Sequence, residues 1–260
     1  MKGQEVQTSR ATRREFLSLA AAAALTGLPR AAIGGGGARG RAVPGEKIAL
    51  GSIGVGAQGT RVMMDFLKMP GVEVVAVCDV NRESSDYSEW GHGELLGKER
   101  RLLNDSAWGA DWKGPTCGRE PARRLVDAYY RKVQNSPSYA GCGAYNDFRE
   151  LLEKEKKLDA VVVCTPDHWH AQISVTAMRR GKHVFCQKPM THSIHEARLM
   201  AQVARETKVA TQVAVMNEAS KATRLLTEWV AAGAIGQVRE VHNWSQRPYW
   251  PQGIELPKDP

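Results

Sequence analysis

A glycine-rich turn between an apolar strand and a helix constrains this chain more than any other segment. Residues 54–59 read Gly-Val-Gly-Ala-Gln-Gly, a GxGxxG pattern. The apolar run at 47–53 predicts a strand, 59–68 predicts a helix, and the β-branched run at 72–78 predicts a second, buried strand. A strand, a glycine turn, a helix and a strand in this order indicate a unit of two parallel strands joined by a helix.

The three glycines of this turn have separate tasks if the turn holds a dinucleotide. Gly54 permits the tight turn, Gly56 lets the backbone approach a pyrophosphate, and Gly59 allows the helix to pack closely on the strand. The helix N-terminus presents free N–H groups and a partial positive charge to the phosphates. The predicted cofactor contacts in the turn are Gly54, Val55, Gly56, Ala57, Gln58 and Gly59. The alternative is a glycine-rich turn that binds nothing.

Asp79 completes the predicted dinucleotide site. It follows the second strand and lies 20 residues beyond Gly59, where a carboxylate accepts hydrogen bonds from the hydroxyls of the adenine ribose. A carboxylate at this position repels a 2′-phosphate, so the sequence favours NAD as cofactor and makes NADP the weaker candidate. Arg82, which is close by in the sequence, weakens that preference.

The rest of the chain continues to alternate between strands and helices. Further strands are predicted at 160–164, 183–186 and 209–215, and further helices at 147–156, 170–180, 193–207 and 220–232. This alternation predicts an α/β fold over residues 46–234, with a Rossmann, doubly wound parallel sheet.

Two parts break this alternation. An insertion at about 82–141 holds a predicted helix at 121–134 and three tryptophans, Trp90, Trp108 and Trp112, which either are buried or stack on a sugar ring. Residues 238–246 alternate apolar and polar side chains, which predicts a strand of a half-exposed sheet. We therefore interpret residues 235–260 as the start of a truncated second domain, α+β with a mainly antiparallel sheet, through which a homo-oligomer would form.

The first 45 residues predict a twin-arginine signal peptide and a flexible linker. Arg13 and Arg14 are followed by Phe16-Leu17, an alanine-rich apolar stretch, and then a glycine run at 34–37. The alternative is an amphipathic N-terminal helix, which leaves the paired arginines and the glycine run unexplained. The expected partner is the twin-arginine export machinery, and the expected location is the periplasm or another exported site.

Charge and composition exclude several other classes of protein. Half of the net charge of +8 lies in residues 1–46, so the expected mature surface is only mildly basic and does not favour nucleic-acid binding. No apolar run reaches the roughly 18 residues of a membrane-spanning helix, so no stable membrane anchor is expected. The five cysteines form no CxxC pair, and three of them end apolar runs, which is typical of small core residues.

Polar residues follow three predicted strands at the same edge of the sheet. They form the segments 165–170 (TPDHWH), 187–189 (QKP) and 216–217 (MN). Ligands of doubly wound sheets bind outside the carboxyl ends of the strands, so we expect these groups to meet beside a bound nicotinamide.

These segments, in this order, resemble the glucose–fructose oxidoreductase, inositol dehydrogenase and MocA family of sugar oxidoreductases. The resemblance runs from residue 47 to about 246. It rests on the GxGxxG turn, Asp79, 145–152 (YNDFRELL), 159–170 (DAVVVCTPDHWH), 181–189 (GKHVFCQKP) and 233–241 (GAIGQVREV).

The resemblance implies roles for the residues at the sheet edge. Lys188 matches the family's catalytic lysine and is expected to polarise or deprotonate a substrate hydroxyl. The residues expected to contact the cofactor beyond the glycine turn are Asp79, Thr165, Pro166, His170, Gln187, Lys188 and Asn217. No metal is expected, although the spacing of His168 and His170 permits metal ligation as an alternative.

The chain departs from the family pattern in two ways. Gln187 replaces the glutamate that precedes the family's lysine, and an amide cannot raise the pKa of a neighbouring lysine as a carboxylate does. The family's substrate domain, which supplies an aspartate and a histidine to the proton relay, is expected beyond Pro260.

The expected function is therefore an NAD-dependent oxidoreductase that transfers hydride from a sugar, cyclitol or related polyol. One variant keeps NAD tightly bound and recycles it, which supports redox-neutral elimination or epimerisation. The alternative from another class is a non-catalytic dinucleotide-binding or sensing module, in which Lys188 is an ordinary surface lysine.

Overall fold

A six-stranded parallel sheet forms the centre of the protein in the computed structural model, which describes residues 47–87, 91, 93–215 and 220–244. The strands are β1 (Ile48–Ile53), β2 (Val72–Cys78), β3 (Gly143–Tyr145), β4 (Ala160–Val163), β5 (His183–Cys186) and β6 (Thr211–Val213). Their order is β3-β2-β1-β4-β5-β6, and every neighbouring pair is parallel. This is the doubly wound Rossmann arrangement, so the predicted fold class is confirmed.

Helices connect the strands and cover both faces of the sheet. They are α1 (Ala57–Leu67), α2 (Glu94–Leu103), α3 (Arg119–Ala128), α4 (Phe148–Lys154), α5 (Asp167–Arg179), α6 (Ile194–Thr207) and α7 (Lys221–Ala231). A π-helical turn, Tyr129–Val133, continues α3. Side chains cap the start of two helices: a side-chain oxygen of Asp147 accepts the amide N–H of Arg149, and that of Ser193 accepts the amide N–H of Glu196.

The side chains of the buried strands divide between two apolar layers, and in β2 a register shift between Val74 and Ala76 interrupts the simple alternation. In β2, Val74 and Val77 belong to the layer under α1 and α3, whereas Ala76 and Cys78 belong to the layer under α4 and α5. All four are buried. A strand buried on both faces reads as a continuous apolar run in the sequence, which is why VEVVAVC was recognised as a strand.

The insertion is more regular than the sequence predicts. Helix α2 was not expected, and it buries Leu95 and Leu103 in the layer under α1. The backbones of Ser84 and Cys117 form two hydrogen bonds, because the amide N–H of each residue donates to the carbonyl oxygen of the other at 2.9 Å. Trp108 donates its indole N–H to buried Glu99 at 3.0 Å, and Trp112 packs edge-on against Trp108, so these two rings are structural. Trp90 lies outside the described residues.

The expected strand at 238–246 is not found where the structure describes it. Residues 238–244 are exposed and pair with no strand of the described chain, and residues 245–246 lie outside the described part. The expected signal segment at 1–45 and the rest of the segment up to 260 also lie outside it. None of the described helices combines the length and hydrophobicity that a transmembrane span requires.

Candidate functional site

The glycine turn joins β1 to α1 at the carboxyl edge of the sheet. Gly54 adopts a φ of +82°, a conformation that side chains disfavour. A Cβ on Gly54 would lie 2.6 Å from the carbonyl carbon of Cys164 and from the amide nitrogen of Thr165. The first glycine therefore lets the C-terminal end of β1 (the exit of this strand) pack directly against the C-terminal end of β4. These two neighbouring strands form the switch point of the sheet, where the strand order reverses.

The third glycine packs the start of α1 onto the same turn. A Cβ on Gly59 would overlap the carbonyl oxygen of Gly54. The first helical hydrogen bond, from the Thr60 amide to the Gly56 carbonyl oxygen, is 2.8 Å long. Gly56 is the N-cap residue, and no side chain caps the helix. The amide groups of the first turn are therefore directed to the space in front of the sheet edge, as an anion-binding turn requires.

Asp79 is bound firmly to this turn. One carboxylate oxygen, Oδ2, accepts the buried amide N–H of Val55 at 2.9 Å, and the other, Oδ1, accepts the amide N–H of Asn81 at 2.9 Å. The residue is only 9% exposed. Asp79 therefore connects the ends of β1 and β2 in addition to presenting a carboxylate at the sheet edge.

Two residues that sequence analysis missed also shape this end of the site. The Arg119 guanidinium, from the start of α3, donates to the carbonyl oxygens of Asp79 and Val80 at 3.1 and 3.0 Å. The phenol of Tyr87 donates to Asp79 Oδ1 at 3.3 Å. Burial raises the pKa of Tyr87 to about 12, and the charge of Asp79 adds to that shift. No local motif marks either residue, because both contacts depend on how the insertion folds back onto the turn.

His170 joins the two loops on the other side of the switch point. The ring is 1% exposed, its Nδ1 lies 2.6 Å from the Pro189 carbonyl oxygen, and its Nε2 lies 2.8 Å from the Thr165 carbonyl oxygen. Both ring nitrogens therefore face backbone acceptors. The side chain therefore links the loop after β4 to the loop after β5.

The Gln187-Lys188-Pro189 segment follows β5 at the same edge. Gln187 is buried, and its side-chain carbonyl oxygen accepts the amide N–H of Lys188 at 3.1 Å. Lys188 is exposed, with no described carboxylate at ion-pair distance, and its peptide bond to Pro189 is cis. The structure therefore places a free ammonium beside the exits of β4 and β5, and Gln187 fixes the backbone that carries it.

The other predicted site residues fall in three groups. Val55 and Ala57 are buried in the turn, while Gln58 is exposed at the start of α1. Thr165 and Pro166 lie immediately before α5, and the hydroxyl oxygen of Thr165 is buried without a hydrogen-bond partner in the described part of the chain. Asn217 lies outside the described residues.

The described histidines and carboxylates show no metal centre. No group of three or more His, Cys, Asp or Glu side chains in the described ranges is arranged to hold a metal ion. His168 is exposed in the first turn of α5, whereas His170 is buried with both nitrogens engaged. These two side chains are therefore not arranged to bind one metal ion together.

None of the five cysteines forms a disulfide in the part of the chain that the structure describes. Cys78 and Cys186 end strands β2 and β5, as predicted, and Cys164 follows β4. Burial raises the pKa of Cys78 and Cys164 to about 12 and that of Cys186 to about 11. These thiols are protonated core residues, and none has the lowered pKa of a nucleophile.

Several features of this edge fit a bound dinucleotide. The start of α1 has no side-chain cap, Gly56 offers a backbone without a Cβ, and Asp79 presents a carboxylate at the tip of β2. The buried hydroxyl of Thr165 lacks a partner at the neighbouring strand exit. Fold and site together define a nucleotide-binding Rossmann domain.

Comparison with known families agrees with this class. Residues 116–215 match the GFO_IDH_MocA model, described as an oxidoreductase family with an NAD-binding Rossmann fold. The matched segment runs from just before α3 through β6 and includes Thr165, His170 and Lys188. The family resemblance predicted from the sequence is therefore supported over this part of the chain.

Individual relatives include dehydrogenases and glycosidase-related proteins. The chain is 27% identical over 172 residues to the levoglucosan dehydrogenase of Pseudarthrobacter phenanthrenivorans, an alignment that covers 61% of this chain and 42% of that protein. It is 24% identical over 163 residues to glycosyl hydrolase family 109 protein 1 of Akkermansia muciniphila, covering 63% and 26%. The chain therefore spans less than half the length of these relatives.

Among the similar solved structures is the scyllo-inositol dehydrogenase of Lactobacillus casei with bound cofactor NAD(H) and scyllo-inositol. Its TM-score is 0.49 at 18% identity, over 74% of this chain and 43% of that one.

Proposed function

We propose that this chain is the dinucleotide-binding part of an NAD-dependent oxidoreductase of the GFO_IDH_MocA family that acts on a sugar, cyclitol or related polyol. The observation that carries the proposal is the meeting of three groups at one sheet edge. These are the uncapped N-terminus of α1, the Asp79 carboxylate and the loop that bears Lys188. The dehydrogenases among the relatives support the same class of reaction.

The residues of the glycine turn would hold the pyrophosphate, and Asp79 would hold the adenine ribose. The amide groups of α1 contribute hydrogen bonds and the positive end of the helix dipole. NAD is proposed over NADP because the Asp79 carboxylate would repel a 2′-phosphate. When bound, the cofactor supplies a nicotinamide ring that accepts a hydride.

Lys188 would act on the substrate hydroxyl from which the hydride leaves. Its ammonium stabilises a developing alkoxide, and its neutral amine accepts the hydroxyl proton. Gln187 positions this lysine through the Lys188 amide N–H and adds no charge beside it. We propose that His170 acts indirectly, by keeping the Thr165 and Pro189 carbonyl groups, and therefore both loops, in place.

Calorimetry and turnover together test this proposal. This chain is expected to bind NAD⁺ more tightly than NADP⁺, and the complete protein of which it would be the dinucleotide-binding part is expected to reduce NAD⁺ with one member of a panel of anhydrosugars, inositols and aldoses. If NAD stays bound and is recycled within each turnover, absorbance at 340 nm is expected to rise and return to baseline after substrate is added without cofactor. Absence of NAD(H) and NADP(H) binding would refute the site.

Replacing Lys188 separates catalysis from binding. Lys188→Ala is expected to lose turnover by about 10²–10⁴-fold and to keep its affinity for NAD⁺. The matched control is Lys157→Ala, which removes an exposed lysine before β4, at the opposite edge of the sheet. Binding with an unchanged rate in Lys188→Ala would remove Lys188 from the mechanism. Binding by the complete protein without turnover of any substrate would favour the non-catalytic module.

Export through the twin-arginine pathway is a separate proposal, supported by Arg13, Arg14 and the apolar stretch after them. This pathway carries folded proteins, so the cofactor would be bound before export. Fractionation of cells that express the chain is expected to give periplasmic protein. Arg13→Lys combined with Arg14→Lys is expected to retain it in the cytoplasm, and unchanged export of that variant would contradict the proposal.

A further inference from the structure

The Tyr87 ring lies against the glycine that the pyrophosphate must approach. A Cβ on Gly56 would be 2.7 Å from Cε1 and 2.9 Å from Cδ1 of Tyr87. Gly56 therefore has no Cβ at a point where the chain's own phenol ring already fills the adjacent space. The same ring packs against the apolar layer under α1 and α3.

The Tyr87 hydroxyl also uses the carboxylate that the ribose would need. It donates to Asp79 Oδ1 at 3.3 Å and accepts from the Asn81 side-chain amide at 2.9 Å. Oδ1 accepts the Asn81 amide N–H as well, so both of its lone pairs are engaged, while Oδ2 accepts one N–H from Val55. With Tyr87 in place, the carboxylate has one free acceptor position for the two ribose hydroxyls.

We propose that Tyr87 is a gate on the dinucleotide site, which covers Gly56 and bonds to Asp79 until a dinucleotide displaces it. This inference rests on the proposed function, since it assigns a regulatory residue to the same site. The phenol imitates a ribose hydroxyl on Asp79, and the ring shields the backbone of the turn from solvent. Both contacts must break before the cofactor can occupy the site.

The gate sets the apparent affinity for the cofactor. A ligand that binds only the open conformation has its dissociation constant raised by the inverse of the open fraction. The pKa of about 12 keeps the Tyr87 phenol protonated, and so able to donate to Asp79, at neutral pH. The insertion that carries Tyr87 therefore sets how tightly the cofactor is held, although the insertion contributes no strand to the site.

A series of substitutions at Tyr87 tests the gate by calorimetry with NAD⁺. Tyr87→Phe keeps the ring but removes the bond to Asp79, and is expected to bind NAD⁺ about five-fold more tightly than wild type. Tyr87→Ala also clears the space over Gly56 and is expected to bind more tightly still. The matched control is Tyr139→Phe, which removes a 2.8 Å phenol bond to the Asp127 carboxylate on the far side of the insertion.

The outcomes separate the gate from the cofactor site itself. Equal or weaker binding by Tyr87→Phe, with wild-type binding intact and an unchanged melting temperature, would overturn the gate and leave the proposed function standing. Binding by the variants but not by wild type would support the gate. Failure of every variant and of wild type to bind any dinucleotide would overturn both proposals.

Chemical labelling gives a second test that keeps the wild-type sequence. Nitration by tetranitromethane, followed by mass spectrometry, reports the accessibility of each tyrosine. Saturating NAD⁺ is expected to increase nitration of Tyr87 several-fold, because the displaced ring enters solvent, and to leave that of Tyr139 unchanged. Protection of Tyr87 by NAD⁺ would show that the ring stays and contacts the cofactor, which contradicts displacement.

Discussion

Replacing Gly54 by alanine tests whether the exits of β1 and β4 are packed as tightly as the structure shows. The added Cβ would lie 2.6 Å from backbone atoms of residues 164 and 165, about 1 Å inside normal carbon contact. Relieving that overlap costs about 1–3 kcal/mol. A further 1–2 kcal/mol arises because an alanine is disfavoured at a φ of +82°.

Gly181→Ala is a matched control because it has the backbone strain without the overlap. Gly181 has a φ of +74°, and a Cβ there would meet nothing within 4 Å. The difference between the two variants therefore isolates the packing cost, about 2 kcal/mol, or about 4–8 °C in melting temperature for a domain of this size.

Urea and thermal unfolding followed by circular dichroism measure this difference, and calorimetry with NAD⁺ measures its effect on the site. Gly54→Ala is expected to be less stable than Gly181→Ala and to bind NAD⁺ weakly, while Gly181→Ala binds as wild type does. Equal losses of stability in the two variants would refute the claim that Gly54 is required for the close approach of β4.

Three further predictions follow from other parts of the site. Asp79→Asn is expected to weaken NAD⁺ binding by roughly ten-fold or more, because hydrogen bonds to a charged acceptor are worth about 1.5–3 kcal/mol; calorimetry showing unchanged affinity would contradict this role. His170→Ala is expected to lower the free energy of unfolding by about 2–4 kcal/mol, since it leaves a cavity and removes the ring N–H that hydrogen-bonds to a backbone carbonyl group of these loops; urea titration checks this, and a neutral result would mean that the ring does not hold the loops. Burial raises the pKa of Cys78, Cys164 and Cys186 from 9.0 to about 12, 12 and 11, so the unfolded chain releases protons that the folded chain keeps. The stabilisation is complete below pH 9 and is lost as the pH rises to about 11 for Cys186 and to about 12 for Cys78 and Cys164, by up to about 1.4 kcal/mol per thiol per pH unit. Urea titrations at several pH values above 9 are expected to give a free energy of unfolding that falls less steeply with pH for Cys164→Ala than for wild type, and an equal fall would exclude that thiol.

The sequence predicted most of the sheet because its strands are β-branched runs bounded by turns. β5 was predicted with its observed bounds, and β2 was too. β3 was missed because Gly143–Tyr145 contains no β-branched residue and is a strand only through its pairing with β2. Helix α2 was missed because Gly97 interrupts a short, highly charged segment, and its stability comes from burying Leu95 and Leu103.

The site was predictable where local spacing determines it. The positions of Gly54, Gly59 and Asp79 follow from the order strand, turn, helix, strand, and the structure shows the close contacts that require the two glycines. Tyr87 and Arg119 were not predictable, because they reach Asp79 through the folding of the insertion. The two backbone acceptors of His170 come from separate loops, and only tertiary structure brings those loops together.

Residues 84 and 117, which bond to each other, close the two ends of a segment whose Leu95 and Leu103 are buried in the layer under α1. Its two ends meet at one hydrogen-bonded pair, and the amide of Gly118 then returns to the carbonyl oxygen of Val55 in the glycine turn at 3.2 Å. Outside the buried Leu95 and Leu103, such a segment can change in length or sequence with little effect on the strands, as loops with closely spaced ends generally can. Because the segment carries Tyr87, the proposed gate implies that relatives differing only there would keep the proposed role of Lys188 but differ in how long they retain the cofactor.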